Sequence, residues 1–324
     1  MRVLEILLDN KNGNVWDVSR ITTKLSWQTV RIGKPASIDL SLTDSGIVQD
    51  DAFTVNNGDI VRVRYDDTNV FYGYVFSVGR NQDNEISIKA YDQVRYLLAK
   101  DTYVFKAKTA TQIIKQIADD FKLQTGHLAN TGHVIPSMVE DSQTLLDIIE
   151  KALSLTLISK QRHFVFYDDF GRLTLRNVNE SLADFIIGDG SLMTGFEYSA
   201  NIDQDTYNRI KLYRDNKDTG KREIYKAQDS ANIARWGLLQ LYQSVDEDKN
   251  AAQINEMLTQ LMQLKNREQK SLKITAIGDI RVRAGMYIPI IIDSLGINQP
   301  MLVDEAQHQF DGESHTMSLT LKVI

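Results

Sequence analysis

Apolar and polar residues alternate along the chain from Val18 to about Ala99 in short runs broken by Gly, Asn and Asp, the pattern of antiparallel strands with one buried face. Ile60 to Tyr65 places Val61, Val63 and Tyr65 on one face and Arg62 and Arg64 on the other. Tyr72, Tyr74, Phe76 and Val78 repeat the period of two, Asn81 to Asn84 makes a polar turn, and Ile86, Ile88 and Ala90 resume the alternation. The period changes near Thr109. Thr109 with Gln112 is a capping-box pair, since hydroxyl and amide together satisfy backbone N–H groups left free in a first helical turn. Ile113, Ile114, Ile117, Ala118 and Phe121 then follow at helical spacing, and Gly126 is placed to end the helix. A second helix, capped by Asp141 or Ser142, carries Leu145, Leu146, Ile149, Ala152 and Leu153 on one side. His163 to Tyr167 and Arg172 to Arg176, separated by a turn containing Gly171, read as a hairpin. From Asp184 short strands return, interrupted by one long helix started by Ser244 and Glu247. Its stripe of Ile254, Leu258 and Leu261, flanked by Met257 and Leu264, should pack by one face on a sheet.

A long-range repeat runs through this pattern. Gly58 leads into Val61 and Val63, then the strand Tyr72 to Phe76, a polar turn, and Ile86 with Ile88. Gly285 leads into Ile288 and Ile290, then Met301 to Val303, the turn Asp311-Gly312-Glu313, and Met317, Leu319 and Leu321. Element order and spacing match, with a few residues inserted in the second copy, as expected of a duplicated β-barrel. The predicted fold is mainly β with an α+β insertion. A first β-barrel covers 1–100, the α+β region 101–183, and a second β-barrel 184–324 with an inserted helix at about 246–268.

At 324 residues the chain is long enough for two or three cores. No run approaches the roughly 18 to 20 apolar residues that span a bilayer, and Arg2, Glu5 and Asp9 interrupt the N-terminal segment, so neither a secretion signal nor a membrane anchor is expected. The absence of Cys excludes disulfides, thiolate zinc sites and cysteine nucleophiles, and with the missing signal points to synthesis in a reducing cytoplasm. A net charge of −6 without long runs of one sign argues against a dedicated nucleic-acid binder, while leaving room for a local basic patch.

Catalytic patterns are sparse. Gly33-Lys34 is followed by Pro35 and Gly220-Lys221 by Arg222, so no phosphate-binding loop is formed. Gly188-Asp189-Gly190 opens like a dinucleotide loop, but the next glycine is Gly195 and no helix follows, which makes it a turn between strands. Neither a Gly-x-Ser-x-Gly elbow nor a His-Glu-x-x-His pair occurs. His127 and His133, near Glu140 and Asp141, match no metal-ligand spacing and read as a solvated loop. Asp168-Asp169 has the composition of a paired-carboxylate site, yet its place beside Gly171 is explained by the preference of Asp for turns. The aromatics Tyr65, Phe71, Tyr72, Tyr74 and Phe76 read as barrel core or subunit interface rather than a stacking platform. No residue is assigned a catalytic, cofactor-binding or metal-ligating role, and no cofactor is expected.

Several stretches together resemble baseplate hub proteins of PBSX-like prophages and related contractile tails, and are similar to the central hub of T-even phages. They are Ala110 to Leu123 with Gly126, Ser142 to Leu153, the hairpin Asp168-Asp169-Phe170-Gly171-Arg172-Leu173, and Ser230 to Gln240 with Arg235-Trp236-Gly237-Leu238-Leu239-Gln240, the long helix and Gly285. Each motif is structural, and their order over most of the chain carries the resemblance. It implies two tail-tube-type barrels with an α+β insertion, assembled as a homotrimer between a tail tube protein and a spike protein, with tape measure and other baseplate proteins nearby. It implies a virion or tail-like particle as location, with neither specific nucleic-acid binding nor a direct membrane anchor. The chain stops at Ile324, directly after the last expected strand, so an appended hydrolase or spike is not expected. Two alternatives stay open: a tail-associated peptidoglycan hydrolase, and a LysM-like cell-wall-binding module. The second rests on Ile117-Ala118, Phe121 and Asn130 within Thr109 to Asn130, which lacks the opening Tyr and Gly-Asp of that pattern.

Overall fold

A computed structural model describes residues 4–43, 53–83, 85–180, 182–216 and 220–322; Asn84 of the expected turn, and Arg2 and Ile324 near the ends, lie outside them. Two strands precede the expected β region, β1 (Leu4–Asp9) and β2 (Val15–Asp17). The alternating segments then form β3 (Thr22–Val30), β4 (Ser37–Thr43), β5 (Ile60–Tyr65), β6 (Thr68–Arg80) and β7 (Glu85–Tyr91). They pair antiparallel in the order β3-β4-β7-β6-β5-β1-β2. Because successive side chains point to opposite faces, Leu25, Trp27, Ile38, Leu40, Val61, Val63, Ile86 and Ile88 all fall inside and build one core.

Tyr72, Tyr74 and Phe76 do not belong to it. Phe71, Gly73 and Val75 are the inward positions of β6. The three aromatics stand on the outer face, where they meet Phe170, Tyr96 and Tyr91 edge-on. They form the boundary between this barrel and the next unit.

That unit begins with a 3-10 turn (Gln93–Leu98) capped by Asp92. Its strands are β8 (Lys100–Thr109), β9 (Thr125–Leu128), β10 (Val134–Thr144), β11 (Phe164–Asp168) and β12 (Leu173–Asn177), and its helices α1 (Ala110–Asp120) and α2 (Leu145–Lys160). β8 pairs with β10, and β11-β12-β9 form a second small sheet. Thr109 and Gln112 make the reciprocal capping box. The helix ends before Gly126, at Phe121, with Lys122 taking the left-handed turn at φ 55°. Gly126 lies instead in β9, where a Cβ would stand 2.9 Å from Thr174 Oγ1. The second helix is capped by Thr144, not by Asp141 or Ser142, because β10 continues through both, and Thr144 Oγ1 accepts from Asp147 N at 3.1 Å. Ile113, Ile114 and Ile117 pack on Leu145, Ile148 and Ile149 over these sheets.

The second barrel uses β13 (Ile187–Gly188), β14 (Met193–Asn201), β18 (Gln269–Ile277), β19 (Tyr287–Ile292), β20 (Ile297–Asp311) and β21 (Ser314–Lys322), around Leu272, Ile274, Ile288, Ile290, Met317 and Leu319. Residues 202–268 leave the barrel between β14 and β18 and form a module of their own. It contains β15 (Arg209–Asn216), β16 (Lys221–Gln228), α3 (Ser230–Trp236), β17 (Gln240–Ser244) and α4 (Ala251–Lys265), with sheet order β16-β15-β17. The helix expected at about 246–268 is α4. It starts later than Ser244 because Asn250 and Gln253 form the capping box, and its Ile254, Leu258 and Leu261 pack on Ile210 and Leu212. Sequence alternation could not separate these strands from those of the barrel, since both have the same period.

The duplication is present hydrogen bond by hydrogen bond. Gly58 N donates to Val75 O at 2.7 Å and Val75 N to Asp59 O at 2.9 Å; Gly285 N donates to Val303 O and Val303 N to Met286 O, both at 2.9 Å. Both glycines have positive φ, 92° and 88°. The register slips one residue after each valine, between Val75 and Ser77 and between Val303 and Glu305. It slips again between Thr22 and Lys24 in β3 and between Met193 and Gly195 in β14. Thus β3-β4-β7-β6-β5 corresponds to β14-β18-β21-β20-β19. Bulges mark specific sites in a strand, so their coincidence is a stronger sign of common descent than two meanders of similar length.

Candidate functional site

The two barrels meet through a strand joint. Beyond its bulge β20 turns from β19 to β3, pairing Glu305 with Val30 and continuing to Asp311 with Lys24, so one sheet runs through both. Arg31 N donates to Asp304 O at 2.9 Å and its guanidinium holds the Asp304 carboxylate at 2.7 Å. That carboxylate is held below the usual range despite burial, with Arg31 and Lys322 as the opposing cations. His308 stacks on Trp27 at 4.9 Å between ring centres. The Val282 carbonyl accepts from His308 Nε2 at 2.9 Å, which leaves Nδ1 to accept from His315 Nε2, also at 2.9 Å. Burial pushes the His308 pKa down to about 4. Phe310, one turn of the pleat further, enters the core of the first barrel.

A second junction joins both barrels to the α+β unit. Arg283, in the loop before β19, is half-buried with its guanidinium 3.8 Å from the centre of the Tyr167 ring, and Nη2 donates to Asp168 O at 3.2 Å. Asp168 Oδ2 accepts from Gln93 Nε2 at 2.9 Å and Oδ1 from Gly171 N at 2.6 Å. Asp92 takes Ala36 N at 3.1 Å and Val94 N at 3.0 Å. Burial raises the pKa of Asp92 and of Asp168, with Asp168 adding to the rise at Asp92, and burial lowers that of Arg283. Buried polar groups are kept where they are hydrogen-bonded, and the bonds from Ala36, Gln93, Gly171 and Arg283 to Asp92 and Asp168 pin three parts of the chain to one point.

The outward residues of the continuous sheet make a polar face. Two shallow depressions along it are lined by Lys24, Ser26, Asp39, Ser41, Ser77, Ser87 and Lys89, and by Gln28, Glu197, Lys273, Thr275, Glu305, Gln307, Ser318 and Thr320. Hydroxyl and amide groups recur along it beside Phe196 and Phe310, and the charges alternate in sign, with Lys89 paired to Asp39 at 2.6 Å.

Against this geometry the sequence candidates sort clearly. Asp168-Asp169 is a turn, as expected, but Asp168 is buried in the junction while Asp169 faces outward to Arg176 at 3.2 Å. His127 is exposed in β9, Glu140 is buried and paired with Lys151, and Asp141 accepts from Thr102 Oγ1, so these residues share no centre. Among the described residues no group of three His, Cys, Asp or Glu could hold a metal ion, and no helix is long and apolar enough to cross a membrane. Gly188-Asp189-Gly190 is a turn; a Cβ on Gly188 would meet Ile291 O at 1.9 Å, and Asp189 accepts from Asp293 N at 2.8 Å. Gly33 gives its N–H to the Glu150 carboxylate. Sequence reasoning missed Arg283, Asp92, Gln93 and His308, whose partners are far away along the chain. A run reading Arg-x-Arg-Ala-Gly just before a repeated strand was the available signal.

The architecture is that of solved phage tail proteins. The 43 kDa tail protein of prophage MuSo2 from Shewanella oneidensis matches with a TM-score of 0.72 at 15% identity, covering 98% of both chains. A tail protein from Neisseria meningitidis MC58 matches at 0.73 and 12% identity, over 99% of this chain and 96% of that one. In class, then, this is a protein of the phage-tail double-barrel fold. Residues 25–322 match the YqbQ-like family model, and the chain belongs to that family. The phage-like element PBSX protein XkdQ of Bacillus subtilis strain 168 is 35% identical over 308 residues, 92% of this chain and 91% of that protein. The uncharacterized protein YqbQ of the same strain is 34% identical over 304 residues, with the same coverage.

Proposed function

We propose that this chain is a structural, non-enzymatic baseplate hub subunit, three copies of which close into a ring of six barrels between a six-fold tail tube and a three-fold spike in a phage or phage-tail-like particle. The observation that carries this reading is the register-for-register duplication: two copies of one barrel in one chain offer six similar strand surfaces from three chains. Cyclic closure satisfies every heterologous contact, whereas failure to close gives filaments. The similarity to XkdQ supports a place in a phage-like particle. The partners are then the tube and spike proteins, with the tape measure passing through the ring. Mass measurement or imaging of assembled particles tests it. Three chains in the ring are expected, and six chains per ring would overturn the hub reading.

A further inference from the structure

The sequence Asn-Gly occurs at two places in the chain, Asn12-Gly13 and Asn57-Gly58. In such a step the glycine nitrogen is free to approach the side-chain amide carbon of the asparagine, because glycine has no Cβ to hinder it. The fold decides whether attack follows. It sets the access of a base to the glycine N–H, the freedom of the nitrogen to move toward Cγ, and the presence of a donor for the charge that builds on Oδ1.

The two steps differ on each count although they are neighbours in space. Asn10 ties their turns together, with Nδ2 donating to Asp59 Oδ2 at 2.6 Å and to Thr54 O at 3.0 Å, so both meet the same solvent and pH. Asn57-Gly58 lies in a turn closed by Asp59 N, which donates to Asn56 O at 3.2 Å, and by Asn56 N, which donates to Asp59 Oδ2 at 2.7 Å. Gly58 N is itself committed to Val75 O at 2.7 Å, the bond repeated at the second barrel by Gly285. Attack by this nitrogen first costs that hydrogen bond. Asn12-Gly13 is the tip of the connection between β1 and β2, and both residues are exposed. Among the described residues the Gly13 N–H meets no acceptor, while Asn14 N donates to Asn12 Oδ1 at 3.0 Å. That bond aims an N–H at the oxygen where negative charge develops as Cγ becomes tetrahedral, the arrangement of an oxyanion hole.

We infer that Asn12 is a site of spontaneous deamidation in the folded chain, and that the turn around Asn57 protects the second step. Gly13 N gives its proton to hydroxide, and its electron pair forms the bond to Asn12 Cγ. The Cγ–Nδ2 bond breaks, and Nδ2 takes a proton from water and leaves as ammonia. One water then opens the succinimide ring. Addition at Cγ leaves aspartate, and addition at the Asn12 backbone carbonyl leaves isoaspartate, in which the main chain runs through the former side chain. Water is consumed, ammonia is released, and nothing is oxidised or reduced. Either product adds a negative charge. Isoaspartate also lengthens the main chain by one carbon between β1 and β2, whose pairing covers only Leu7 with Asp17, Leu8 with Trp16 and Asp9 with Val15.

The test holds the full chain in warm, mildly alkaline buffer, samples it over time, digests it in acid and maps the peptides by mass spectrometry, with electron-transfer fragmentation to separate aspartate from isoaspartate. The expected result is a one-dalton gain at Asn12 at least tenfold faster than at Asn57, with both isomers formed and a rate that rises with pH. In concentrated urea the two steps should convert at similar rates, since the bonds that set them apart are gone. Asn12→Gln, whose longer side chain requires a six-membered ring, should leave that position unchanged and Asn57 as slow as before. Equal conversion of the two steps in the folded chain, or faster conversion at Asn57, overturns the inference. So does an Asn12 that stays intact when folded yet converts in urea, and so does a product free of isoaspartate, which would mean direct hydrolysis of the side chain. A tenfold difference that persists unchanged in urea overturns the protective role of the turn around Asn57.

Discussion

His308 is held as a neutral ring between Trp27, the Val282 carbonyl and His315. Its folded pKa of about 4 lies below the ordinary 6.5, so its contribution is whole above about pH 6.5 and is lost as pH falls toward 4. The loss approaches about 3 kcal/mol at full protonation of the folded state. Protection factors of β20 amides, taken relative to intrinsic exchange at each pH, should fall over that interval, and the slope should flatten in His308→Gln. Asp92 and Asp168 act in the opposite sense. Their raised values mean that their contribution is whole below the ordinary carboxylate range and lost as pH climbs through the raised folded values. Comparing each variant with the parent at the same pH separates the two trends. At the other junction, Arg283→Ala removes the guanidinium from the Tyr167 ring, the Asp168 carbonyl and the Asp169 carboxylate and should destabilise it by about 2 kcal/mol. The expected readout is faster exchange in β11 and β12 with β15–β17 unchanged; uniform acceleration throughout the chain would mean that Arg283 holds no local junction.

Among the elements, what was legible in the sequence is what depends on near neighbours. Val61, Val63, Ile86 and Ile88 announce their strands because alternation with one buried face is a local property, and Thr109 with Gln112 announces α1 because a capping box spans three residues. Caps slipped where several polar residues competed. Asp141, Ser142 and Thr144 are all able acceptors, and the continuation of β10 opposite β8, a tertiary matter, decides for Thr144. Thr144→Ala should therefore cost about 1 kcal/mol, visible as faster exchange at the start of α2, and Ser142→Ala much less. A larger effect at Ser142 would restore the sequence-based cap. The junction of Asp92, Asp168 and Arg283 had no local signature, because its members come together only when three separately folded parts meet. The aromatics of β6 misled for a related reason: alternation reveals two faces but not which one is the core, and Phe71 rather than Tyr72 faces inward.

For the whole molecule, the polar face carries Lys24, Lys89 and Lys273 among Asp39, Glu197, Glu305 and Asp311. If this face lines a channel, its described residues make no continuous basic band that would hold DNA through many phosphates. The purified chain should show no salt-dependent retention of duplex DNA in a filter-binding titration, and tight binding that weakens steeply with salt would contradict a passive channel. Cell-wall preparations should likewise stay intact in a zymogram. Clearing that disappears in Asp168→Asn, with the fold preserved, would return the hydrolase alternative.

Residues 202–268 hang from the turn between β14 and β18, while the corresponding turn of the first barrel is only residues 31–36. In a ring of three such chains this difference in one hairpin gives the six positions a parity, decorated and plain in turn. A component that reads only strands can seat on that ring in six equivalent rotations, but one that grips the decoration has three. In such a ring the length of a single connection would thus halve the rotational symmetry open to a partner that grips the decoration.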